Sequence, residues 1–436
     1  MKKDYIYYMR RRKKVLSELP ENSILILLNK PASIRSNDVE YRFKPDSDFY
    51  YLTGFDEPNS ACLLIKERHK SFYVLFVEPK DREKEIWTGK QIGINGAKSI
   101  FKADLAFEYS KFFEKLEDFI SGKEYIYYSL GKYPDHDQKI LKLINDIRKS
   151  NRSGARSPKG VNEPFEILSC LRLIKDELEI DCMKKAADIS KDAHILAMSY
   201  AKPGMYEYEL EAILEYKFKK SGSLGPAYSS IVGAGKNATI LHYINNSEKI
   251  KKNDLILIDA GCEYKYYASD LTRTFPANKK FTAPQKALYE IVLESQIKSI
   301  ELMKPGKRFI DSYNKAVEIL VEGLKDLKLL KGSIQEIIAK KKYRKYFMHK
   351  LSHWLGLDVH DAGPYLDKND KSIKLVSGMV MTVEPGIYIS SELDDVPEKF
   401  KGIGIRIEDD ILITKSGNKV LTEGTPKQVD EIEAFS

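Results

Sequence analysis

Four carboxylates interrupt apolar, strand-like runs in the second part of this 436-residue chain. Asp259 closes Leu255-Ile256-Leu257-Ile258 and is followed by Ala260-Gly261. Further on, Asp270 lies in Y-A-S-D-L-T-R-T-F, whose alternation predicts a strand. Glu384 ends Met379-Val380-Met381-Thr382-Val383 and precedes Pro385-Gly386. Glu408 sits in G-I-G-I-R-I-E-D-D-I-L-I-T, where Ile403, Ile405 and Ile407 face one way and Gly404, Arg406 and Glu408 the other. A single acid in such a run reads most simply as a strand-end cap or one half of a buried ion pair. Four are costly to bury unless something offsets their charge. Cationic side chains on these runs are few, with Arg406 the main candidate, so a pair of divalent cations is the simpler solution.

Histidine placement sharpens this reading. Of seven histidines, His242, His349, His353 and His360 fall in the same region. His349-Lys350-Leu351-Ser352-His353 has the histidine spacing of a zincin, but that motif needs Glu directly after the first His, where Lys350 stands. One His among four carboxylates makes a hard, oxygen-rich site that suits Mn²⁺ or a similar ion. Two such ions ~3.5–4 Å apart can clamp attacking and leaving groups around a hydroxide.

The elements that position these residues follow from periodicity and punctuation. Strands are expected at Ser23–Leu28, Ala61–Ile65, Ser71–Val77 and Glu124–Tyr128, and helices at Phe112–Ile120 and Gln138–Lys149. Asn151–Pro164, rich in Ser, Gly, Arg and Pro, reads as a linker, which puts the domain boundary at 163/164. Helices then cover Asp176–Ala201 and Glu207–Lys220, with strands at Ser229–Val232, Leu255–Asp259 and Glu263–Phe275. The order repeats in helices Pro284–Met303 and Phe309–Leu324 and strands Met379–Glu384 and Gly404–Thr414. Each first helix stops at Lys-Pro-Gly, so a duplicated α+β unit is expected.

Composition excludes several classes. The chain is 42% hydrophobic and 31% charged, a globular balance that rules out collagen-like and disordered proteins. A net charge of +8 is too small for this length to imply nucleic acid as a partner. No apolar run approaches the ~20 residues of a membrane helix. Four dispersed cysteines favour reduced thiols over a disulfide scaffold, and with no apolar run after the first charges the expected location is cytoplasmic. The basic runs Arg10–Lys14 and Lys340–Lys345 read as solvated helix faces.

The motifs L-I-D-A-G-C-E-Y, S-D-L-T-R-T-F-P, H-K-L-S-H-W-L-G-L-D-V-H-D, M-T-V-E-P-G-I-Y-I and G-I-G-I-R-I-E-D-D together resemble those of the bacterial Xaa-Pro aminopeptidases, members of the pita-bread metallopeptidases. R-S-N-D-V-E-Y-R-F-K-P-D-S-D-F-Y-Y-L-T-G extends the resemblance to nearly the whole chain. It implies an α+β protein of two domains. These are an N-terminal α/β (creatinase-like) domain with a mixed sheet over 1–163 and a pseudo-two-fold pita-bread (creatinase/aminopeptidase) catalytic domain over 164–436. The implied activity is hydrolysis of the bond between an N-terminal residue and a following proline, at a dinuclear centre with a bridging hydroxide and two divalent ions, Mn²⁺ being favoured.

The resemblance also implies roles. Asp259, Asp270, His353, Glu384 and Glu408 would be ligands, Asp270 and Glu408 bridging, with Glu384 also general base. His242 and His360 would contact substrate and stabilise the tetrahedral intermediate, and His349 would lie by the proline-side pocket. Tyr388 would belong to the substrate site. Arg406 and Asp38 would form a pair behind the metals, and Trp87 would reach a neighbouring subunit's site in a dimer or tetramer. One departure concerns Lys350, where the family usually has Gly; a positive φ there would strain Lys by about 1 kcal/mol. Prolidase, with the same site but dipeptide substrates, is the nearest rival, and a metal-free binding module is disfavoured by the complete ligand set. The long N-terminal domain disfavours methionine aminopeptidase.

Overall fold

The computed structural model describes residues 4–150, 154 and 156–434. The chain divides into two compact units, Met1–Leu171 and Arg172–Ser436, a little beyond the expected boundary. Of the expected linker, residues 151–153 and 155 lie outside the described residues, and Gly160–Asn162 is a strand rather than linker. It adds in parallel to Tyr125–Tyr127, because the backbone of Lys159 and Tyr128 bonds across to Glu124 and Asn162.

The first unit is built on a six-stranded mixed sheet in the order Leu105–Glu108, Ser71–Val77, Ala61–Lys66, Ser23–Leu28, Tyr125–Tyr127, Gly160–Asn162. Its central strand Ser23–Leu28 is buried along its whole length, as expected where both faces of a sheet are covered. Helices Phe112–Ile120 and Pro134–Lys149 pack Phe112, Leu116, Ile140 and Ile144 into the core formed with Ile24, Leu63 and Phe76. The basic run near the start does form a helix, Tyr5–Glu18, but it is not simply solvated. Arg11 and Arg12 are buried and donate to Tyr51 O (3.1 Å) and Leu52 O (2.7 Å), near the end of helix Ser47–Thr53. Those carbonyls lack intrahelical partners, and a cation complements the negative end of the helix dipole. Lys340–Lys345 is nearer to expectation: Lys340 and Lys342 pair with Glu336 on the surface, although a 3₁₀ turn replaces a helix there.

In the second unit, helices Glu177–Tyr200 and Glu207–Lys220 precede the antiparallel sheet Ile231–Ala234, Leu255–Asp259, Thr272–Pro276. Helices Ala283–Leu302 and Phe309–Asp326 precede the ladders Val380–Val383 with Asp409–Ile413 and Gly386–Ile389 with Ile403–Arg406. Each helix pair packs its apolar stripe into one continuous core that includes Leu214, Ile256, Leu288, Leu320 and Ile405. The first long helix starts with a capping box, Asp176 accepting from Glu179 N at 3.1 Å. Both Lys-Pro-Gly stops end in a glycine with positive φ, +95° at Gly204 and +86° at Gly306.

Two expected strands are broken, and the breaks carry the chemistry. Glu263–Phe275 divides into Cys262–Tyr264, Tyr267–Ala268 and Thr272–Pro276, leaving Asp270 in a loop. The backbone passes itself closely here, since a Cβ on Gly261 would meet Ser269 O at 1.8 Å. The Asp270 N–H is satisfied by the Asp410 carboxylate at 3.1 Å instead of a ladder partner. Gly404–Thr414 breaks at Ile407-Glu408, opposite Glu384-Pro385 on the facing strand. Pro385 has no N–H to continue the ladder. Glu408 N turns to Thr272 O (3.1 Å), which joins the two halves of the unit at this point. Among the described residues, Lys350 is not one of the non-glycine residues with positive φ, so it carries none of the strain considered for it.

Candidate metal centre and cleft

The strand breaks bring three donors together. One atom each from Asp270, His353 and Glu408 lies within 4.8 Å of the others. His353 Nε2 stands 3.4 Å from Asp270 Oδ2 and 3.6 Å from Glu384 Oε1. Strand Val380–Val383 is the reason His353 meets Glu384: Thr382 N bonds to His353 O and Glu384 N to Leu351 O. Asp259 joins from the paired half through Tyr228, whose hydroxyl lies 2.6 Å from Asp259 Oδ1 and 2.5 Å from Asp270 Oδ1.

The electrostatics of this cluster call for positive charge. Burial, then the neighbouring Asp270, push Glu384 up to about 8 despite the nearby His353. Burial and the surrounding carboxylates hold Glu408 well above its ordinary value. Asp259 is raised by burial, against the pull of Arg406. Burial is the largest single influence on Asp270 and pushes it up, but His353, Tyr228 and Arg406 together outweigh it and hold the carboxyl below the usual range. His353 is raised to about 9: burial disfavours its charge, and Asp270 with Glu384 more than compensates. A proton is thus held where a cation would relieve the same repulsion. The imidazole is also oriented for ligation. Its Nδ1 lies 3.0 Å from Trp354 O, so the neutral ring with Nδ1–H donating there turns the Nε2 lone pair to the carboxylates. The donor set therefore fits divalent metal.

Around the cluster opens a cleft of about 420 Å³ whose walls include His242, His349, Lys350, His360 and Tyr365. His242 and His360 are exposed to it, and the His360 ring sits 4.4 Å from that of His353, perpendicular to it. Burial and the charge of His353 lower the His360 pKa. Arg406 is buried and donates to Asp259 Oδ2 at 2.6 Å and to the Tyr388 hydroxyl at 2.9 Å. Its carboxylate partner is thus Asp259, within the same unit, and no acid from elsewhere is required. Tyr388 is not on the cleft wall but buried behind it, 2.9 Å from His349 Nε2. Because Tyr388 oxygen accepts from Arg406, its own proton is free to go to His349, whose Nδ1–H then donates to Lys350 O at 2.7 Å. Burial and Arg406 hold His349 neutral, its pKa lowered to about 3. Asp38 and Trp87 belong to the first unit: Asp38 is exposed at the turn between Ile34–Ser36 and Val39–Glu40, and Trp87 is 87% exposed on helix Arg82–Thr88.

Several contributors were not read from the sequence. Thr272, two residues beyond Asp270, donates to Glu408 Oε2 at 2.6 Å, a role the alternation around it could have suggested. Tyr228, in an unpatterned Gly-Pro-Ala-Tyr, gives no such signal. Arg273 is buried, bonding Glu408 O (2.6 Å) and Asp409 (2.8 Å), while Lys427 bonds the other Asp409 oxygen at 2.7 Å. These cations hold Asp409 well below the usual carboxylate range against the effect of its burial.

Fold and site define a metallopeptidase. The model of metallopeptidase family M24 matches residues 181–415, and that of the aminopeptidase P N-terminal domain matches residues 8–127. The chain belongs to family M24, as an enzyme with a mixed α+β fold of N-terminal and catalytic domains. It is 41% identical to the Xaa-Pro aminopeptidase of Escherichia coli over 98% of this chain and 97% of that protein. Its structure matches that of the aminopeptidase PepP of Pseudomonas aeruginosa with a TM-score of 0.96 at 46% identity, covering 99% and 97% of the two chains. It also matches E. coli aminopeptidase P solved with the inhibitor Pro-Leu, with a TM-score of 0.95 at 41% identity over 99% and 98%.

Proposed function

We propose that this enzyme removes an N-terminal residue whose neighbour is proline, with Asp259, Asp270, His353, Glu384 and Glu408 holding two divalent ions. The observation that carries this reading is the convergence of Asp270, His353 and Glu408 beside Glu384, next to a cleft lined by His353, Glu384 and Asp259. Similarity to Xaa-Pro aminopeptidases along nearly the whole chain supports the substrate class. When bound, such a metal pair generates hydroxide at neutral pH and polarises the scissile carbonyl.

The chain's own residues do the rest. Glu384, in the cleft beside His353, accepts a proton and passes it toward the proline nitrogen, which has no N–H of its own. Thr382 steadies that carboxylate, its hydroxyl 3.3 Å from Glu384 Oε1. His242 and His360, on the cleft wall, bind substrate and the charge that develops on the carbonyl oxygen. His349, held neutral through Tyr388 and Arg406, faces the proline side. The oxygen-rich donors favour Mn²⁺. Exposed Ile86 and Trp87 suit a subunit contact in a homo-oligomer, and Asp38 is assigned to support of the site by resemblance alone. Among the described residues no helix is long and apolar enough to cross a membrane, and a cytoplasmic location is proposed with the four free thiols in view. Comparing hydrolysis of Arg-Pro-Pro with Arg-Ala-Pro, with and without Mn²⁺, tests the proposal. Selective, metal-dependent release of arginine from Arg-Pro-Pro is expected; equal cleavage of both peptides would overturn it.

A further inference from the structure

Lys350 is a charged group on the cleft wall that the proposed reaction does not use. The other fixed charges there are committed: Arg406 is paired with Asp259, and Glu384 lies 3.6–3.8 Å from His353 and His349. Among the described residues, no carboxylate lies within 4.0 Å of the Lys350 ammonium. It sits instead over the Tyr365 ring, 5.5 Å from its centre. That ring is a fixed platform. It stacks on Trp354 at 5.5 Å, meets Phe309 edge-on at 5.2 Å, and its hydroxyl accepts from Trp354 N at 3.3 Å. A cation–π contact with such a platform keeps the ammonium on the wall while leaving it open to an anion. The Lys350 carbonyl is meanwhile held by His349.

We propose that Lys350 is a specificity-determining residue that favours peptides carrying a carboxylate on the proline side of the scissile bond; this rests on the Xaa-Pro reading above. Position and charge fix the direction. His349, the chain neighbour of Lys350, faces the proline side in the reading above and lines the same cleft, so the residues after the scissile bond run toward the lysine, and a cationic α-amino group is kept from it by like charge. Lysine presents a point charge rather than a planar fork, so it selects for negative charge more than for a particular geometry. The carboxylate has two possible sources, the C-terminus of a short peptide or an acidic side chain after proline.

Two peptide pairs separate these sources: Ala-Pro-Ala against its amide, and Ala-Pro-Asp amide against Ala-Pro-Asn amide. For wild type, kcat/KM is expected to favour the charged member of at least one pair by about two- to fivefold at low ionic strength, the scale of an exposed ion pair. The preference falls toward one in 1 M salt. Lys350→Met, which keeps the aliphatic length, brings the ratio to about one; Lys350→Arg retains it and Lys350→Glu reverses it. The pair that responds identifies the source. A ratio in Lys350→Met equal to that of wild type in both pairs overturns the proposal. Hydrolysis of the two amides lacking a carboxylate reports the Xaa-Pro activity separately, so its absence tells against the Proposed function, while intact hydrolysis with an unmoved ratio tells against Lys350 alone.

Discussion

Replacing Asp361 by Asn should destabilise the catalytic unit and slow it without removing metal. Asp361 follows His360 directly, and its carboxylate is buried between two cations. Oδ2 lies 2.9 Å from Lys175 Nζ, and Oδ1 bonds to Arg172, which also meets Asp358 at 2.8 Å. The exposures of the three side chains are 0% for Lys175, 2% for Asp361 and 4% for Arg172. The loop is drawn tightly over this group, for a Cβ on Gly356 would stand 2.2 Å from Asp361 Oδ2. Removing one partner of a buried pair leaves an uncompensated charge and costs about 3–5 kcal/mol. Adding Lys175→Met to Asp361→Asn should recover part of that loss. The pH dependence follows from the depressed Asp361 pKa, where Lys175 and Arg172 outweigh the opposing effect of burial. A carboxyl depressed on folding contributes its full stability above its unfolded value, about 3.9, and loses it as pH falls through the folded value. Denaturant unfolding of wild type and variant should therefore differ by about 3–5 kcal/mol at pH 7, and the difference should begin to shrink below about pH 4 as pH falls toward the depressed folded value. A difference under about 1 kcal/mol at pH 7, or one that persists unchanged to pH 3, would mean that the Asp361 charge does not support the fold in this way.

Glu384→Gln should keep the shape of the site and lose about 10²–10⁴ in kcat; a near-wild-type kcat removes Glu384 from the proton-transfer role. His242→Ala and His360→Ala should retain metal and lose kcat, so a variant whose metal content falls in step with activity would make that histidine a ligand. Tyr228→Phe deletes the hydroxyl that bridges Asp259 and Asp270 and should weaken metal affinity about 10–100-fold in a competitive chelator titration. Unchanged affinity would leave that hydroxyl without a part in holding the carboxylates.

Regular elements were the most legible part of the chain. Ser71–Val77, Phe112–Ile120, Glu207–Lys220 and Leu255–Asp259 fall where their periodicity places them. The site carboxylates were legible as residue types in apolar settings, because burying them demands a reason. Their local geometry was not. Alternation continues through Leu271 and Ile407, yet the strands break at Asp270 and Glu408, because those backbones pair with Asp410 and Thr272 across the two halves. The burial of Arg11 and Arg12 was hidden for a similar reason, since their partners Tyr51 and Leu52 are distant in sequence. The resemblance pairs Arg406 with Asp38, whereas the structure gives it Asp259 at 2.6 Å from the paired half of the same unit.

Peptide cleavage is expected to depend on a two-metal centre formed by the convergent carboxylates and His353. The direct test is to strip metal from the folded enzyme, titrate Mn²⁺ back, and follow bound metal together with hydrolysis of Arg-Pro-Pro. Activity should vanish on stripping while the fold persists, and return as up to two ions bind per chain. Full activity in metal-free enzyme, or recovery without metal bound at Asp270, His353 and Glu408, would show that cleavage does not depend on this centre.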